Sequence, residues 1–234
     1  MPAFRWIVVF CALALSLVAT TATPAAVQTG VCHAATYSYA GLESRLVSRG
    51  VAAAIAPTAA PAVRDGHVAG WVGVGGYGVG PGGTDEWIQI GLIAFRNSAT
   101  RIYYEVTQPG KQPVQRTVRE GIVAGERHRF AVLELGRRPN WWRVWLDGRP
   151  VGEPVFLPRS HGRLTAQMTG ESYTGLSEGR CNVYSFAFED VALAETNASF
   201  SSAPRGFEFF EDPNYLLEHR STTSFVARSI APAT

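Results

Sequence analysis

From Gly50 onward, apolar and polar residues alternate in short runs, and glycine or proline clusters separate nearly every run from the next. Helical periodicity is almost absent. The runs that read as strands are Val51 to Ala56, His67 to Val74, Glu86 to Phe95, Arg101 to Val106 and Gln115 to Val118, then Arg129 to Leu135, Trp142 to Leu146, Val151 to Phe156, Thr165 to Tyr173 and Val183 to Ala192. One hairpin is specified strongly. Trp142 to Leu146 alternates, Asp147-Gly148 suits a two-residue turn with positive φ, and Pro150 fits the start of an edge strand. About ten short strands in one chain predict an all-β fold, a two-sheet antiparallel jelly-roll sandwich of concanavalin-like type, because each sheet must bury one face against the other.

Two segments depart from that rhythm. Tyr37 to Arg49 reads as a segment with a short helical turn around Leu42 to Val47. Asn197 to Gly206 is rich in Ser, Ala and Pro and reads as a linker, after which Phe207-Glu-Phe-Phe210 and Tyr215-Leu-Leu217 carry too many apolar groups to stay solvated. The tail is expected to pack back on the sandwich, with Thr222 to Ala227 as a final strand. An inhibitory role for that tail over a groove is left open.

The first residues change the picture of compartment. Arg5, an apolar run from Trp6 to Val18 and small residues to Ala26 have the order of an export signal, with cleavage after Ala22, Ala25 or Ala26. No later segment has the roughly 20 apolar residues of a membrane helix. The expected organisation is a signal at 1–26, a sandwich at 27–194 and a linker with tail at 195–234, in a secreted, extracellular protein that leaves the membrane when its signal is cut. Signal removal also takes Cys11 away. Cys32 and Cys181 then form an even pair, expected to be bonded in an oxidising compartment, closing a loop of roughly 150 residues worth up to about 5 kcal/mol.

Charge adds little. Lys+Arg total 21 against 19 Asp+Glu, with Lys111 the only lysine, and the arginines are scattered singly without the basic, aromatic-laced stripe of a nucleic-acid binder. The arginine and alanine bias points to a GC-rich, bacterial genome. No cofactor is expected. Gly73-Val-Gly-Gly-Tyr-Gly78 matches a dinucleotide-binding pattern, but Val79-Gly-Pro-Gly-Gly-Thr84 cannot start the required helix, so it reads as a glycine-rich loop between strands. His33, His67, His128, His161 and His219 show no ligand spacing, so no metal site is expected. No Gly-x-Ser-x-Gly elbow is present. Glu208, Glu211 and Asp212 read as solvated surface, and the Asn197-Ala-Ser sequon carries no meaning in a bacterium.

Strand parity supplies the one pairing with chemical content. In Glu86 to Phe95, Ile88, Ile90, Leu92 and Ala94 share the core face, which leaves Trp87, Gln89, Gly91, Ile93 and Phe95 on the outer, concave one. In Thr165 to Tyr173, Ala166, Met168, Gly170 and Ser172 point inward. Thr165, Gln167, Thr169, Glu171 and Tyr173 point outward, so Glu171 joins a polar face.

Trp71-Val-Gly-Val-Gly-Gly76, Trp87-Ile-Gln-Ile-Gly91, Tyr103-Tyr-Glu-Val106 and Thr169-Gly-Glu-Ser-Tyr173 occur in the order seen in the eqolisin-type glutamic peptidases, which Val51 to Ala192 thus resembles. The resemblance implies a concanavalin-like sandwich with a catalytic glutamine and glutamate, which map onto Gln89 and Glu171. It implies a glutamate that activates water as general base and then protonates the leaving amine, while the glutamine amide orients the water and holds the oxyanion. Family members typically carry two further aspartates where this chain has Gly75 and Ile93.

A competing reading is a carbohydrate-binding, lectin-like module without catalysis. Trp71, Trp87, Tyr104, Tyr173 and the cluster of Trp141, Trp142 and Trp145 could form its aromatic platform, as they could also flank a peptide substrate. Trp142, Val144 and Leu146 share one face and Trp141, Arg143 and Trp145 the other, and whichever face is buried is core. A surface adhesion or structural domain is a third possibility. Oligomeric state is not legible.

Overall fold

A computed structural model describes residues 32–176, 179, 181–196, 199–201 and 207–230. The expected export signal, Cys11, Asn197 and most of the expected linker lie outside them. The chain is all-β. β1 (Tyr37–Val47), β2 (Gly50–Pro57), β3 (His67–Gly80), β4 (Thr84–Phe95) and β5 (Thr100–Thr107) come first. β6 (Val114–Ile122), β7 (His128–Glu134), β8 (Trp141–Leu146), β9 (Arg149–Phe156) and β10 (Thr165–Tyr173) follow. β11 (Ser185–Thr196), β12 (Ser199–Ser201), β13 (Phe207–Glu211), β14 (Tyr215–Ser221) and β15 (Ser224–Ser229) complete the described elements.

These strands form the two antiparallel sheets of a jelly-roll sandwich. One runs β13-β1-β10-β3-β4-β5-β6; the other runs β14-β15-β11-β2-β7-β8-β9, with β12 paired to β11. Between them lies one apolar core that includes Val72, Ile88, Ile90, Leu92, Phe130, Trp142, Met168, Phe186 and Phe188. Each such side chain taken fully out of water contributes about 1.5–3 kcal/mol, which is why the strands hold the alternation read from the sequence. Trp142 and Val144 are on the buried face, so Trp141 and Trp145 point away from the core. The hairpin forms as expected, with Asp147 and Gly148 at φ 48° and 76° and β9 at a sheet edge. Cys32 and Cys181 are bonded, tying the start of the described chain to the segment before β11.

Three expectations are corrected. Leu42 to Val47 is strand, not a helical turn: Leu42 is buried opposite Met168, whereas Leu46 is 56% exposed, so the apparent helical spacing buries nothing. Gly73 to Gly78 is not a loop but part of β3, which stays paired with β4 as far as Gly76 and then shifts register before Gly80. Just before that irregularity Gly75, still paired with Trp87, has a φ of 85°, and a Cβ there would overlap the Glu86 carbonyl oxygen, so this backbone excludes a side chain. Ser199–Ser201 of the expected linker is strand, and the tail beyond it joins the sheets, β13 extending one and β14 and β15 the other.

Its acidic residues hold that tail in place. Asp212 Oδ2 accepts from the Tyr39 amide over 2.8 Å, Glu211 Oε2 accepts from the Leu217 amide over 3.0 Å, and Glu208 pairs with Arg45. Glu208 and Glu211 are exposed, in keeping with the solvated reading, and Glu211 and Asp212 also bond backbone amides.

Candidate functional site

The outer face of the seven-stranded sheet carries a cleft of about 370 Å³. Its floor comes from alternate residues of four adjacent strands, since every second side chain of each emerges on the same side. β3 contributes His67, Trp71 and Gly73; β4 contributes Trp87, Gln89 and Ile93. β5 adds Tyr103 and Glu105, and β10 adds Gln167 and Glu171. A small apolar cluster of Ala69, Trp71, Ile93 and Tyr103, with Tyr39 and Phe95 packed on it, underlies the polar groups. This second cluster explains why β3 and β4 are buried on both faces. Ile93 belongs to it.

Glu171 is buried and doubly engaged. Its Oε2 accepts from the Trp71 indole Nε1 over 2.9 Å, and its Oε1 lies 2.8 Å from His67 Nε2. Gln89, also buried, donates from Nε2 to the Tyr103 hydroxyl over 2.9 Å. The two side chains arise from strands on either side of β3, Glu171 opposite Ala69 and Gln89 opposite Gly73. Trp71 runs between them. One edge of its indole bonds Glu171, while Cζ3 on the other would lie 3.2 Å from a Cβ on Gly73, and that Cβ would be 2.8 Å from Gln89 Cβ. Gly73 therefore leaves the space in which ring and glutamine stem sit side by side.

A second carboxylate stands on the same floor. Glu105, directly opposite Gln89 across β4 and β5, accepts from Trp87 Nε1 over 3.0 Å and from Gln115 Nε2 over 3.4 Å. Burial pushes its pKa above the usual carboxylate value; the Trp87 bond partly offsets this and the Glu171 charge adds to it. Burial likewise raises the tyrosines of the cleft, with Glu171 adding to each: Tyr37 to about 12, Tyr39 further still, and Tyr103 well above the ordinary tyrosine value.

Of the residues expected at the site, Gln89, Glu171, Trp71 and Trp87 line the cleft together. Tyr173 flanks it, its ring 5.7 Å from that of His67 and 4.6 Å from that of Tyr37. Tyr104 is corrected. Parity turns it with Ile102 and Val106 toward the core, and Tyr103 takes the cleft position. Trp141, Trp142 and Trp145 belong to β8 in the other sheet and build no wall of the cleft. The sequence reading passed over His67 and Glu105, although the parity that placed Trp87 and Gln89 applies equally to the strands that carry them. Among the described residues, no cluster of three or more His, Cys, Asp or Glu side chains could hold a metal ion.

No protein-family model and no curated protein matches the chain by sequence. The fold does have matches: it is similar to that of the eqolisin-type glutamic peptidases. A crystal structure of scytalido-glutamic peptidase with a transition state analog inhibitor aligns over 83% of this chain and 98% of its own, at a TM-score of 0.57 and 13% identity. SCP-B, a member of the eqolisin family in complex with the tripeptide Ala-Ile-His, aligns over the same shares at a TM-score of 0.54 and 13% identity.

Proposed function

We propose that this chain is an exported hydrolase of peptide bonds that works through Gln89 and Glu171. The observation that carries the reading is that these two side chains, buried on strands flanking β3, line one cleft with the Trp71 indole between them. Each retains capacity for substrate. A carboxylate offers about four lone-pair sites, of which Trp71 and His67 engage two, and the Gln89 amide nitrogen has two hydrogens, of which Tyr103 takes one.

In this mechanism Glu171 takes a proton from a water whose oxygen attacks the scissile carbonyl. Gln89 gives its second N–H to the oxyanion that develops, and a proton returned from Glu171 lets the amine leave. The solved structures of like fold hold peptide-based ligands, which supports a polypeptide substrate. Export is supported by the apolar run after Arg5 and by a disulfide suited to an oxidising compartment.

A glycan platform is favoured less. Trp71 and Trp87 are buried and their N–H groups are spent on Glu171 and Glu105, and the Tyr77 ring packs 4.8 Å from that of Trp87. Flat, open aromatic faces for sugars are therefore lacking on these two residues.

The test is cleavage of a fluorescence-quenched peptide library from pH 3 to 8 by the chain lacking residues 1–26. Glu171→Gln and Gln89→Ala should each lose about 10²–10⁴-fold in kcat/KM while remaining folded. Wild-type rates in either variant, or no cleavage by the wild type at any pH, would refute the proposal.

A further inference from the structure

The eqolisin resemblance supplies a glutamine and a glutamate, but it says nothing of the histidine bonded to that glutamate here. His67 opens β3 on the same face as Trp71, and its Nε2 lies 2.8 Å from Glu171 Oε1. Both side chains are nearly out of solvent, at 15% and 9% exposure. The two contacts to Glu171 differ in kind. An indole N–H can only donate, so Oε2 must accept from Trp71. An imidazole nitrogen can donate or accept, so the proton between Oε1 and Nε2 can belong to either group without moving a heavy atom.

The surroundings leave that proton few other partners. From β10, Tyr173 packs a ring 5.7 Å away; from β1, Tyr37 packs one at 6.0 Å; from β4, Phe95 packs one at 5.6 Å. Arg101 lies over the far partner, 4.9 Å from the Phe95 ring centroid, and Glu105 acts on His67 only through space. Among the described residues, Glu171 is the one carboxylate that His67 meets within ion-pair distance.

We propose that His67 is a relay residue that acts through Glu171: it takes up their shared proton as Glu171 accepts one from water, and gives it back as Glu171 protonates the leaving amine. This rests on the Gln89 and Glu171 reading above. At rest one proton lies between Oε1 and Nε2; Glu171 accepts a second from water on a free lone pair as the water oxygen bonds to the carbonyl carbon, and the shared proton passes to His67 Nε2, leaving a carboxylic acid beside an imidazolium. When the tetrahedral intermediate collapses, the proton returns through Glu171 to the amide nitrogen, the C–N bond breaks with its electron pair on nitrogen, and an acid and an amine result. Water and peptide are the only reactants consumed. Storing a proton on His67 leaves Glu171 neutral beside the oxyanion, with the positive charge on the imidazolium behind it.

The deciding experiment compares His67→Gln, which can still donate a hydrogen bond to Glu171 but cannot carry a proton, with His67→Phe. Both are assayed with the peptide library as pH profiles of kcat and KM. The expected result is a loss of about 10²-fold or more in kcat for both, with KM little changed and the wild-type pH profile of kcat altered. If His67→Gln restores the wild-type kcat and profile, His67 only positions Glu171 and the relay is overturned. A second readout needs no turnover: the 15N shifts of the His67 ring, followed against pH, should change their midpoint in Glu171→Gln. An unchanged midpoint overturns the shared proton. Activity lost in Glu171→Gln and Gln89→Ala but kept in His67→Gln defeats the relay alone; absence of activity in the wild type defeats the hydrolase reading and the relay with it.

Discussion

Trp71 and Glu171, on the adjacent strands β3 and β10, meet through a hydrogen bond of 2.9 Å from the indole Nε1 to Oε2, with both residues buried in the outer face of the sheet. The tryptophan is thus a wall of the cleft and a fixed donor to its central carboxylate.

Replacing Trp71 by Phe keeps most of the ring and removes the N–H. A hydrogen bond to a charged group contributes about 1.5–3 kcal/mol, and Glu171 would lose one of its two protein partners. Urea unfolding should show a destabilisation of that order, and the peptide assay a fall in kcat larger than any rise in KM. An equal stability in both proteins would mean that water replaces the indole without cost.

Gly73→Ala tests the packing between the pair. Its Cβ would stand 2.8 Å from Gln89 Cβ and 3.2 Å from Trp71 Cζ3, so ring or amide must shift by some tenths of an ångström. Overpacking of this kind typically costs about 1–3 kcal/mol, and a displaced amide should also lower kcat about tenfold or more. Unchanged rates together with unchanged stability would show that Gln89 tolerates the move.

Glu86 faces the core beneath the β3 to β4 turn, fully buried, and neither of its carboxylate oxygens has a hydrogen-bond partner. Burial raises its pKa, an effect that the Arg159 charge and the nearby Thr84 hydroxyl only partly offset. A carboxyl raised in the folded state keeps its proton longer than in the unfolded chain, so stability falls as pH climbs from the ordinary glutamate value through the raised one. Glu86→Gln lacks that loss. Melting temperatures of the two proteins should therefore diverge between pH 4 and 7, the variant being the more stable at pH 7; parallel curves would rule the argument out.

The Cys32–Cys181 bridge spans 149 residues of sequence. Removing it with Cys32→Ser and Cys181→Ser together should cost about 2–5 kcal/mol, read as a lower urea midpoint than that of the oxidised wild type. Reduced wild type should then match the double variant. A midpoint that does not move on reduction would show that the bridge contributes no net stability.

Much of the frame was legible because a strand has a period of two. Ile88, Ile90 and Leu92 had to share a face, and burying that face sent Trp87, Gln89 and Gly91 the other way. The Asp147-Gly148 turn was equally local, since positive φ at both positions is a property of those residue types. The same rule misled at Leu42 to Val47, where too few apolar residues distinguish a one-turn helix from a bulged strand, and only pairing with Met168 and Phe209 decides.

The sequence alone thus determined alternation, turns, the cysteine pair and which residues of one strand can share a face, because these depend on neighbours a few positions apart or on what remains after counting. It could not determine which strands lie side by side. That His67 meets Glu171 over 104 positions, that Trp71 lies between Glu171 and Gln89, and that Tyr103 rather than Tyr104 enters the cleft are consequences of sheet order and register. These are set by the simultaneous burial of two sheet faces, a property of the whole chain that no single run of residues carries.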